Sequence, residues 1–527
     1  MPLLKSLYPI ILTWIASIVE RRYAILLFLL AARYALQSTD GSWADDFWEH
    51  AAVIRELMTN PLNPKHPLLD IAASHAFFSP YSVLLAILGL AFSVSPVTVL
   101  SGFGLINLCL LGLTLPLFLS TIQSKTRYSV AFYTVLLNLF FWGDDPWHFS
   151  GFYNFEIFNS VLPYPSTIAL ALTFLGLWLH DRLLRQYSFT SHLFLIVICS
   201  FTLITHSLTC LFLFVGLCAQ TIVIQKIGLK ALVFLAFTLI SSFMLCTLWP
   251  YFSVYDMLST AGEAFNWANH SMYLNVAPRI WPSIIALPII IWRISLNSNR
   301  TLCLILLVLS TLYIFGGFSQ NYAIGRVVAI IIFLTNVLIA QTIVLLEEQI
   351  STNRRVNTIW QASIVTCLIT ISCWWISYAI PRMLTVVHSV YLGRPVNNKL
   401  SYKQLEFLTD YVKQYDVVLA NVELSWKIPT LAGKALATKH PLAFAPDWFS
   451  RKMQLLAFFE QKTTAAQRQE YLQRFRPAYL LLDKHNDAAW QTILAFVQMQ
   501  QQKPSDALIV FENPQFILID LRSLTFQ

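Results

Sequence analysis

Long runs of apolar residues, separated by short loops, recur from about residue 23 to residue 380. Only 12% of the 527 residues are charged, whereas 57% are hydrophobic. A soluble domain usually carries about 25% charged residues. A helix of about 20 apolar residues is long enough to cross a bilayer. The sequence therefore predicts a polytopic α-helical membrane protein.

The cysteines and the net charge exclude several other classes of protein. All eight cysteines fall inside the apolar runs and none has the spacing of a zinc-binding motif, which argues against a disulfide framework or a structural zinc site. The formal net charge of +8 comes from cations scattered through short loops. That distribution is typical of membrane orientation rather than of nucleic-acid binding, so we expect no nucleic-acid partner.

The N-terminal residues predict a cytoplasmic start. Lys5, Arg21 and Arg22 flank an apolar stretch, residues 7–19, that is too short to cross a membrane. We expect an interfacial cytoplasmic helix there, followed by a first span at about residues 23–37.

The next stretch, residues 38–78, is predicted to be an outer loop with a short amphipathic helix at about 46–58. Residues 77–94 are also apolar. If they crossed the membrane, however, Lys125 and Arg127 would lie outside, against the rule that cytoplasmic loops carry the positive charge. We therefore predict that this segment lies on the membrane surface or is re-entrant.

The remaining apolar runs predict ten more spans, which makes about eleven in total and places the C-terminus outside. The predicted spans after the first lie at about residues 96–121, 128–142, 165–180, 191–205, 206–224, 231–249, 280–291, 302–315, 326–345 and 359–380. With this count, most cations of the short loops are cytoplasmic and most acids lie in the outer loops.

The composition changes at about residue 390 to that of a small soluble domain. Residues 1–389 are thus predicted to form the transmembrane domain, and residues 390–527 an α/β extracytoplasmic domain. The C-terminal pattern predicts helices at about 403–414, 449–461, 464–475 and 488–500, strands at 417–422 and 479–483, and a hairpin of strands 508–511 and 516–520. The sequence contains no G-x-G-x-x-G, Walker or G-x-S-x-G motif, so it offers no support for nucleotide-driven transport.

Two predicted outer loops each carry an acidic pair among aromatic residues: Asp45-Asp46 and Asp144-Asp145. A carboxylate at the bilayer surface can act as a general base toward an acceptor hydroxyl or help to hold a divalent cation. The neighbouring aromatic side chains could stack on sugar rings or belong to the interfacial aromatic belt. An acidic side chain so close to lipid is costly, which favours a function. The alternative is that a loop outside the membrane is simply acidic.

Cations are rare in the predicted outer loops. Lys65, His66, Arg279 and Arg326 could each bind a lipid phosphate, Arg as a bidentate fork and Lys as a point charge. Each long cationic side chain could equally extend toward the membrane surface without a ligand.

The arrangement resembles the GT-C superfamily of integral-membrane glycosyltransferases, which includes protein O-mannosyltransferases and lipid A aminoarabinose transferases. The resemblance rests on the acidic pair that opens the first outer loop, the surface helix after it, and the proline-containing segment Pro64-Lys65-His66-Pro67. The C-terminal domain resembles those of bacterial members more weakly. The chain has no W-W-D-x-G-like sequence, so it departs from the oligosaccharyltransferase branch.

The resemblance implies transfer of a sugar from a polyprenyl-phosphate-linked donor to an acceptor on the extracytoplasmic face. The acceptor would be an envelope glycan, a lipid or a protein, and the membrane the bacterial inner membrane. Asp46, or Asp45 as second choice, would be the general base. The other implied substrate-binding residues are His50, Lys65, His66, Asp144, Asp145, Arg279 and Arg326. No cofactor follows from the sequence apart from a candidate divalent cation.

Three other functions fit parts of the pattern. A lipid-linked oligosaccharide polymerase would use similar donors but carry its large outer loop in the middle of the span set. A flippase or transporter of envelope glycans would place ionisable residues near the middle of its spans and repeat its halves. A non-catalytic scaffold would tolerate neutralisation of both acidic pairs.

Overall fold

The computed structural model describes residues 2–40, 43, 46–122, 126–225, 228–285, 287–288, 291, 299–351, 353–392, 402–442, 444–445, 447–500 and 508–524. Its helices of ten or more residues, numbered in chain order, are α1 (Pro2–Asp40), α2 (Phe47–Thr59), α3 (Pro80–Phe92), α4 (Pro96–Ser120), α5 (Arg127–Phe140), α6 (Pro165–Arg185), α7 (Phe189–Thr205), α8 (Ser207–Gln225), α9 (Leu229–Thr247), α10 (Val254–Asn269), α11 (Val276–Ile285), α12 (Arg300–Phe318), α13 (Val327–Ile350), α14 (Arg354–Leu392), α15 (Trp448–Phe459), α16 (Ala465–Phe475) and α17 (Trp490–Met499). Its strands are β1 (Val417–Leu419), β2 (Lys434–Ala435), β3 (Tyr479–Asp483), β4 (Ile509–Glu512) and β5 (Phe516–Asp520). Shorter helical turns lie at Phe158–Val161, His270–Tyr273, Tyr322–Arg326, Tyr402–Leu405, Leu408–Tyr411, Val422–Ser425 and Ile428–Leu431.

The chain divides into two compact units. The helical unit consists of Met1–Asp40, Ser101–Trp249 and Asn266–Val396. The sheet unit consists of Gly41–Leu100, Pro250–Phe265 and Asn397–Gln527. The loop that is predicted to lie outside therefore groups with the C-terminal residues. The domain boundary expected near residue 390 stays a prediction.

By length and composition, seven helices among the described residues could cross a membrane. They are Pro96–Ser120, Pro165–Arg185, Ser207–Gln225, Leu229–Thr247, Arg300–Phe318, Tyr322–Ile350 and Arg355–Cys373. The predicted class, an α-helical membrane protein, is thus supported, whereas the predicted number of eleven spans is not confirmed.

The length of α3 bears on the prediction that residues 77–94 do not cross the membrane. The apolar helix α3 has 13 residues, which at 1.5 Å per residue gives a length of about 20 Å. That is shorter than the ~30 Å hydrocarbon core, in line with a segment that does not cross the membrane.

The prediction of a separate interfacial helix before the first span was wrong, because α1 runs unbroken past Arg21 and Arg22.

The helical unit is built around α13. Nearly every side chain from Val327 to Val344 is buried, as expected for a helix that is apolar on all sides. Near its C-terminal end, Glu347 accepts two hydrogen bonds of 2.6 and 2.8 Å from Arg22 of α1. The guanidinium of Arg22 also lies over the Tyr133 ring of α5, at 5.0 Å. These contacts hold α1, α5 and α13 together.

The sheet unit contains a mixed five-stranded sheet in the order β2-β1-β3-β5-β4. The strands β2, β1 and β3 are parallel, and β5 is antiparallel to both β3 and β4. Strand β3 and the β4–β5 hairpin confirm the sequence pattern. The predicted helix at 403–414 was wrong, because two separate turns occupy that segment.

Side chains of alternate residues fill two cores, one on each face of the sheet. Leu480 and Leu482 pack with α15, α16 and α17 on one face, whereas Tyr479 and Leu481 face the helical turns between residues 402 and 432. All five residues of β3 are buried, as expected for a central strand covered on both faces.

Strand β2 also contacts the loop between α2 and α3. Leu69 forms a parallel bridge with Ala435, whose backbone N–H donates to the Leu68 carbonyl over 2.7 Å. The turn before β2 requires glycine, because Gly433 has a φ of +66° and a Cβ there would lie 2.6 Å from the Asp416 carbonyl oxygen. The first loop is thus hydrogen-bonded to the sheet edge.

Candidate functional site

The proposed general base, Asp46, immediately precedes α2. Its carbonyl oxygen accepts the first helical hydrogen bond, from His50 N at 3.0 Å, and its side chain is half-buried. Asp at this position favours the start of a helix, since its carboxylate complements the positive end of the helix dipole. Asp45 lies outside the described residues.

The aromatic residues around Asp46 are packed into the sheet unit. Trp43 stacks on Phe47 with ring centroids 4.3 Å apart, and the Trp48 indole N–H donates to the Trp43 carbonyl. All three side chains are at most 4% exposed. They fix the start of α2 and do not form an open platform for a sugar ring.

His50 is buried on α2, one turn after Asp46. Its ring stacks on Phe77, with centroids 4.5 Å apart. Nε2 of the buried His75 lies 3.1 Å from the carboxylate of Glu49, the residue before His50. Nδ1 of the same His75 ring accepts a hydrogen bond from the Phe77 backbone N–H. These pairs attach the end of the first loop to the helix that Asp46 begins.

His66 is buried and neutral. Its Nδ1 accepts hydrogen bonds from the backbone N–H groups of Leu68 and Leu69, so that nitrogen carries no proton. Burial, followed by the nearby His75 and Lys434, holds the pKa of His66 well below its usual value. A neutral imidazole orders the loop backbone but offers no positive charge to a phosphate. Substrate binding by His66 stays a prediction.

Residue Glu56 of α2 is the centre of a buried ion pair that we call the Glu56 clamp. Its carboxylate lies 2.8 Å from Lys434 Nζ, and both side chains are at most 2% exposed. The same ammonium donates to the His66 and Pro67 carbonyls at 2.7 and 3.1 Å. Glu56 also accepts from the backbone N–H of Lys65 at 2.9 Å. The clamp joins α2, the proline-containing segment and β2.

The side chain of Lys65 is exposed, and its ammonium lies over the Tyr415 ring at 4.1 Å. Arg55 of α2 donates to the Pro429 carbonyl at 3.0 Å and to the Gln414 amide oxygen. Burial lowers the pKa of Arg55 to about 10. Two of the basic residues of the first loop thus bind the C-terminal residues of the sheet unit.

In the helical unit, the second acidic pair lies in the loop between α5 and α6. Asp145 Oδ2 is 2.8 Å from Arg279 Nη2, and the Asp145 carbonyl accepts from Arg279 Nη1 at 2.6 Å. The Asp145 side chain is 74% exposed, and its neighbour Asp144 is exposed as well. Arg279 therefore holds this loop through two hydrogen bonds to one residue.

Arg326 lies in the short turn that leads into α13. Its Nε donates to Asn269 Oδ1 at 2.8 Å and its Nη1 to Ser150 Oγ at 3.2 Å. The guanidinium also lies over the Phe149 ring at 5.1 Å. These contacts orient a cation at the edge of a small cavity of about 30 Å³, whose lining includes Ser150, His206 and Thr209.

A second cavity of the helical unit adjoins the first and is apolar. It measures about 60 Å³ and lies between α1, α4, α5, α6 and α13. Three residues, Tyr153, Leu170 and Phe333, line both cavities. The two cavities therefore share part of their lining, and Arg326 lines the first of them.

The predicted site residues fall into two sets. Asp46, His50, Lys65 and His66 belong to the sheet unit, and Asp144, Asp145, Arg279 and Arg326 to the helical unit. Among the described residues, no group of three His, Cys, Asp or Glu side chains could hold a metal ion, and a divalent cation stays a prediction.

Sequence reasoning missed Glu56, Lys434 and His206. Glu56 and Lys434 are 378 residues apart, and each looks like an ordinary surface charge in the sequence. His206 is the first residue of the predicted span at 206–224, where a lone histidine gave no signal.

No protein-family model and no curated protein sequence matches the chain. Solved structures of an oligosaccharyltransferase from Archaeoglobus fulgidus are similar to it. The structure tethered to an acceptor peptide with the NVT sequon has a TM-score of 0.47 and 9% identity, over 92% of this chain and 71% of that one. The complex with Zn and sulfate has a TM-score of 0.41 and 10% identity, over 86% and 65%. The third, archaeal oligosaccharyltransferase AglB with an inhibitory peptide and a dolichol-phosphate, has a TM-score of 0.40 and 10% identity, over 90% and 71%.

Proposed function

We propose that the protein is a membrane glycosyltransferase of the GT-C type, which transfers a sugar from a polyprenyl-phosphate carrier to an acceptor hydroxyl on the extracytoplasmic face. The paired cavities of the helical unit carry this proposal. A polyprenyl phosphate has an anionic head and an apolar chain, and the two cavities offer a guanidinium next to an apolar slot. An Arg fork is well suited to phosphate oxygens.

The geometry around Arg326 suits the leaving group of such a reaction. Its guanidinium is oriented by hydrogen bonds to Asn269 and Ser150. A cation fixed in this way stabilises negative charge that develops on a departing phosphate. A lipid chain would have to separate the side chains that line the narrow apolar slot.

The chemical step proceeds at the sugar's anomeric carbon. The acceptor oxygen forms a bond to this carbon while the bond to the carrier phosphate oxygen breaks. The acceptor's proton passes to the Asp46 carboxylate, and the carrier leaves as a phosphate anion. Asp46 is suited to this role as a half-buried carboxylate at the start of α2, whose opposite end is held by the Glu56 clamp.

Kinetics of Arg326 variants would test the proposal. In phospholipid nanodiscs with a radiolabelled polyprenyl-phosphate sugar, we expect Arg326→Ala to raise the KM for the donor by at least tenfold, and Arg326→Lys to restore part of the loss. The matched control is Arg182→Ala, because Arg182 lies at the far end of α6 and contacts Trp178. Unchanged donor kinetics in Arg326→Ala would refute the assignment.

The same preparation separates the rival functions. A flippase would move labelled donor across a vesicle membrane without forming a new glycosidic bond. A polymerase would extend its product in repeated units, whereas the proposed enzyme adds sugar to an acceptor. Translocation without transfer would overturn the proposal.

A further inference from the structure

A second candidate binding site lies in the C-terminal part of the sheet unit, between α15 and α16. We call it the α15–α16 groove. Its volume is about 500 Å³. Its lining residues are Gln454, Ala457, Phe458, Glu460, Lys462, Thr463, Gln467, Glu470, Tyr471 and Arg474. Most of these side chains are polar, and none belongs to the proposed catalytic groups.

The two walls of the groove are held rigidly. The guanidinium of Arg468 is buried and donates to the Phe458 and Glu460 carbonyls, at 3.1 and 2.7 Å, across the C-terminal end of α15. Thr464 and Gln467 form a capping box at the start of α16. A groove whose walls are fixed before a ligand arrives loses little conformational entropy on binding.

Two polar atoms of the lining residues lack hydrogen bonds within the described part of the chain. They are the Tyr471 hydroxyl and the Gln454 Oε1, both buried. The Tyr471 side chain is 8% exposed and packs against Phe458 and Phe475. A buried hydroxyl without a partner costs on the order of 1–3 kcal/mol. Rotation of these two side chains toward the groove would let a bound molecule supply the missing hydrogen bonds and remove this cost.

The charges in the groove indicate which ligand fits. Lys462 and Arg474 are balanced by Glu460 and Glu470, so neither a strongly anionic nor a strongly cationic ligand is favoured. Guanidinium groups donate hydrogen bonds to neighbouring hydroxyls, carboxylates accept from them, and side-chain amides do both. We propose that the α15–α16 groove binds a neutral oligosaccharide.

A peptide is the main alternative, and the groove suits it less well. Its walls are two helices, so no free strand edge is present there for an extended peptide to pair with. The one aromatic cluster, Phe458 with Tyr471, is largely buried. If the proposed function holds, the bound glycan would be part of its donor or acceptor. Binding itself does not depend on that function.

Saturation-transfer difference NMR on the full-length protein would test the groove. Phosphatidylcholine nanodiscs are needed, because alkyl glycoside detergents carry sugars themselves. The probes are maltohexaose, mannohexaose and chitohexaose, with the neutral peptide Gly-Ser-Thr-Gly-Ser-Thr as the alternative ligand. No donor lipid is present, so inactivity of the enzyme would not affect the result.

We expect saturation transfer to at least one hexasaccharide. Tyr471→Phe and Glu470→Gln should each weaken its binding at least fivefold. Tyr471→Phe should not lower thermal stability, because the lost hydroxyl has no partner among the described residues. Tyr411→Phe, in the same unit but outside the groove, is the matched control.

Three results would overturn the inference. They are the absence of saturation transfer to every hexasaccharide, binding that is equal in all the variants, and binding of the peptide alone.

Discussion

Replacement of Lys434 by methionine should release the loop between α2 and α3 from the C-terminal residues. Methionine keeps most of the volume of lysine but leaves the Glu56 carboxylate buried without its ammonium partner. It also removes the donor that bonds the His66 and Pro67 carbonyls. Burial lowers the pKa of Lys434, whereas the hydrogen bond to Glu56 raises it. The positive charge of the buried Lys434 ammonium is therefore stabilised by Glu56.

The size of the effect follows from the burial of both partners. Loss of one member of a buried ion pair usually costs about 3–5 kcal/mol, since the other charge stays desolvated. An exposed pair contributes about 0.2–1 kcal/mol. Lys439 and Glu423 form such a pair in the same unit, 3.0 Å apart and with side chains 35% and 68% exposed. Lys439→Met is therefore the matched control.

Hydrogen exchange of the full-length protein measures the local opening directly. We expect amides in residues 56–70 to exchange at least ~100-fold faster in Lys434→Met, because each 1.4 kcal/mol is a factor of ten. Lys439→Met should change these rates less than about fivefold. The double variant Glu56→Gln/Lys434→Met should regain at least half of the lost protection, because it leaves no unpaired charge. Equal rates in the Lys434 and Lys439 variants would refute the clamp.

Three further changes test other parts of the structure. Asp46→Asn should lower the transfer rate by at least ~100-fold with no loss of yield or thermal stability, and normal turnover would remove its role as base. Burial raises the pKa of Asp487 to about 6. As the pH rises, Asp487 ionises in the unfolded state before it does so in the folded state. Its contribution to the free energy of unfolding should therefore fall by on the order of 3 kcal/mol between about pH 4 and pH 6. Thermal unfolding at several pH values should show this loss in the original protein and not in Asp487→Asn. Gly143→Ala should lower the melting temperature, because its Cβ would overlap the Pro278 carbonyl oxygen, whereas Gly102→Ala meets no atom within 4 Å and should not.

The elements found by sequence reasoning are those with strong local signals. The long apolar runs, the amphipathic helix α2 and the all-apolar core of β3 each carry their own periodicity or composition. The two-residue strand β2 was missed, because Lys434 and Ala435 have no strand pattern. The first part of α1 was read as a separate helix because its charges suggested a break that the backbone does not make.

For the site, the position of Asp46 at the start of α2 could be predicted from the motif around it. The state of His66 could not, because its burial and its neutral form depend on Lys434 and on backbone donors from the folded loop. Likewise, the orientation of Arg326 depends on Asn269, which lies 57 residues earlier in the chain.

Membrane class and helix positions depend on local composition, because lipid requires each spanning segment to be apolar and to satisfy its own backbone hydrogen bonds. The partners of individual charges depend on contacts between residues hundreds of positions apart, which local patterns do not encode. Glu56 illustrates the difference: its helix can be predicted from neighbouring residues, but its buried charge is stabilised by Lys434, which folding brings to within 2.8 Å.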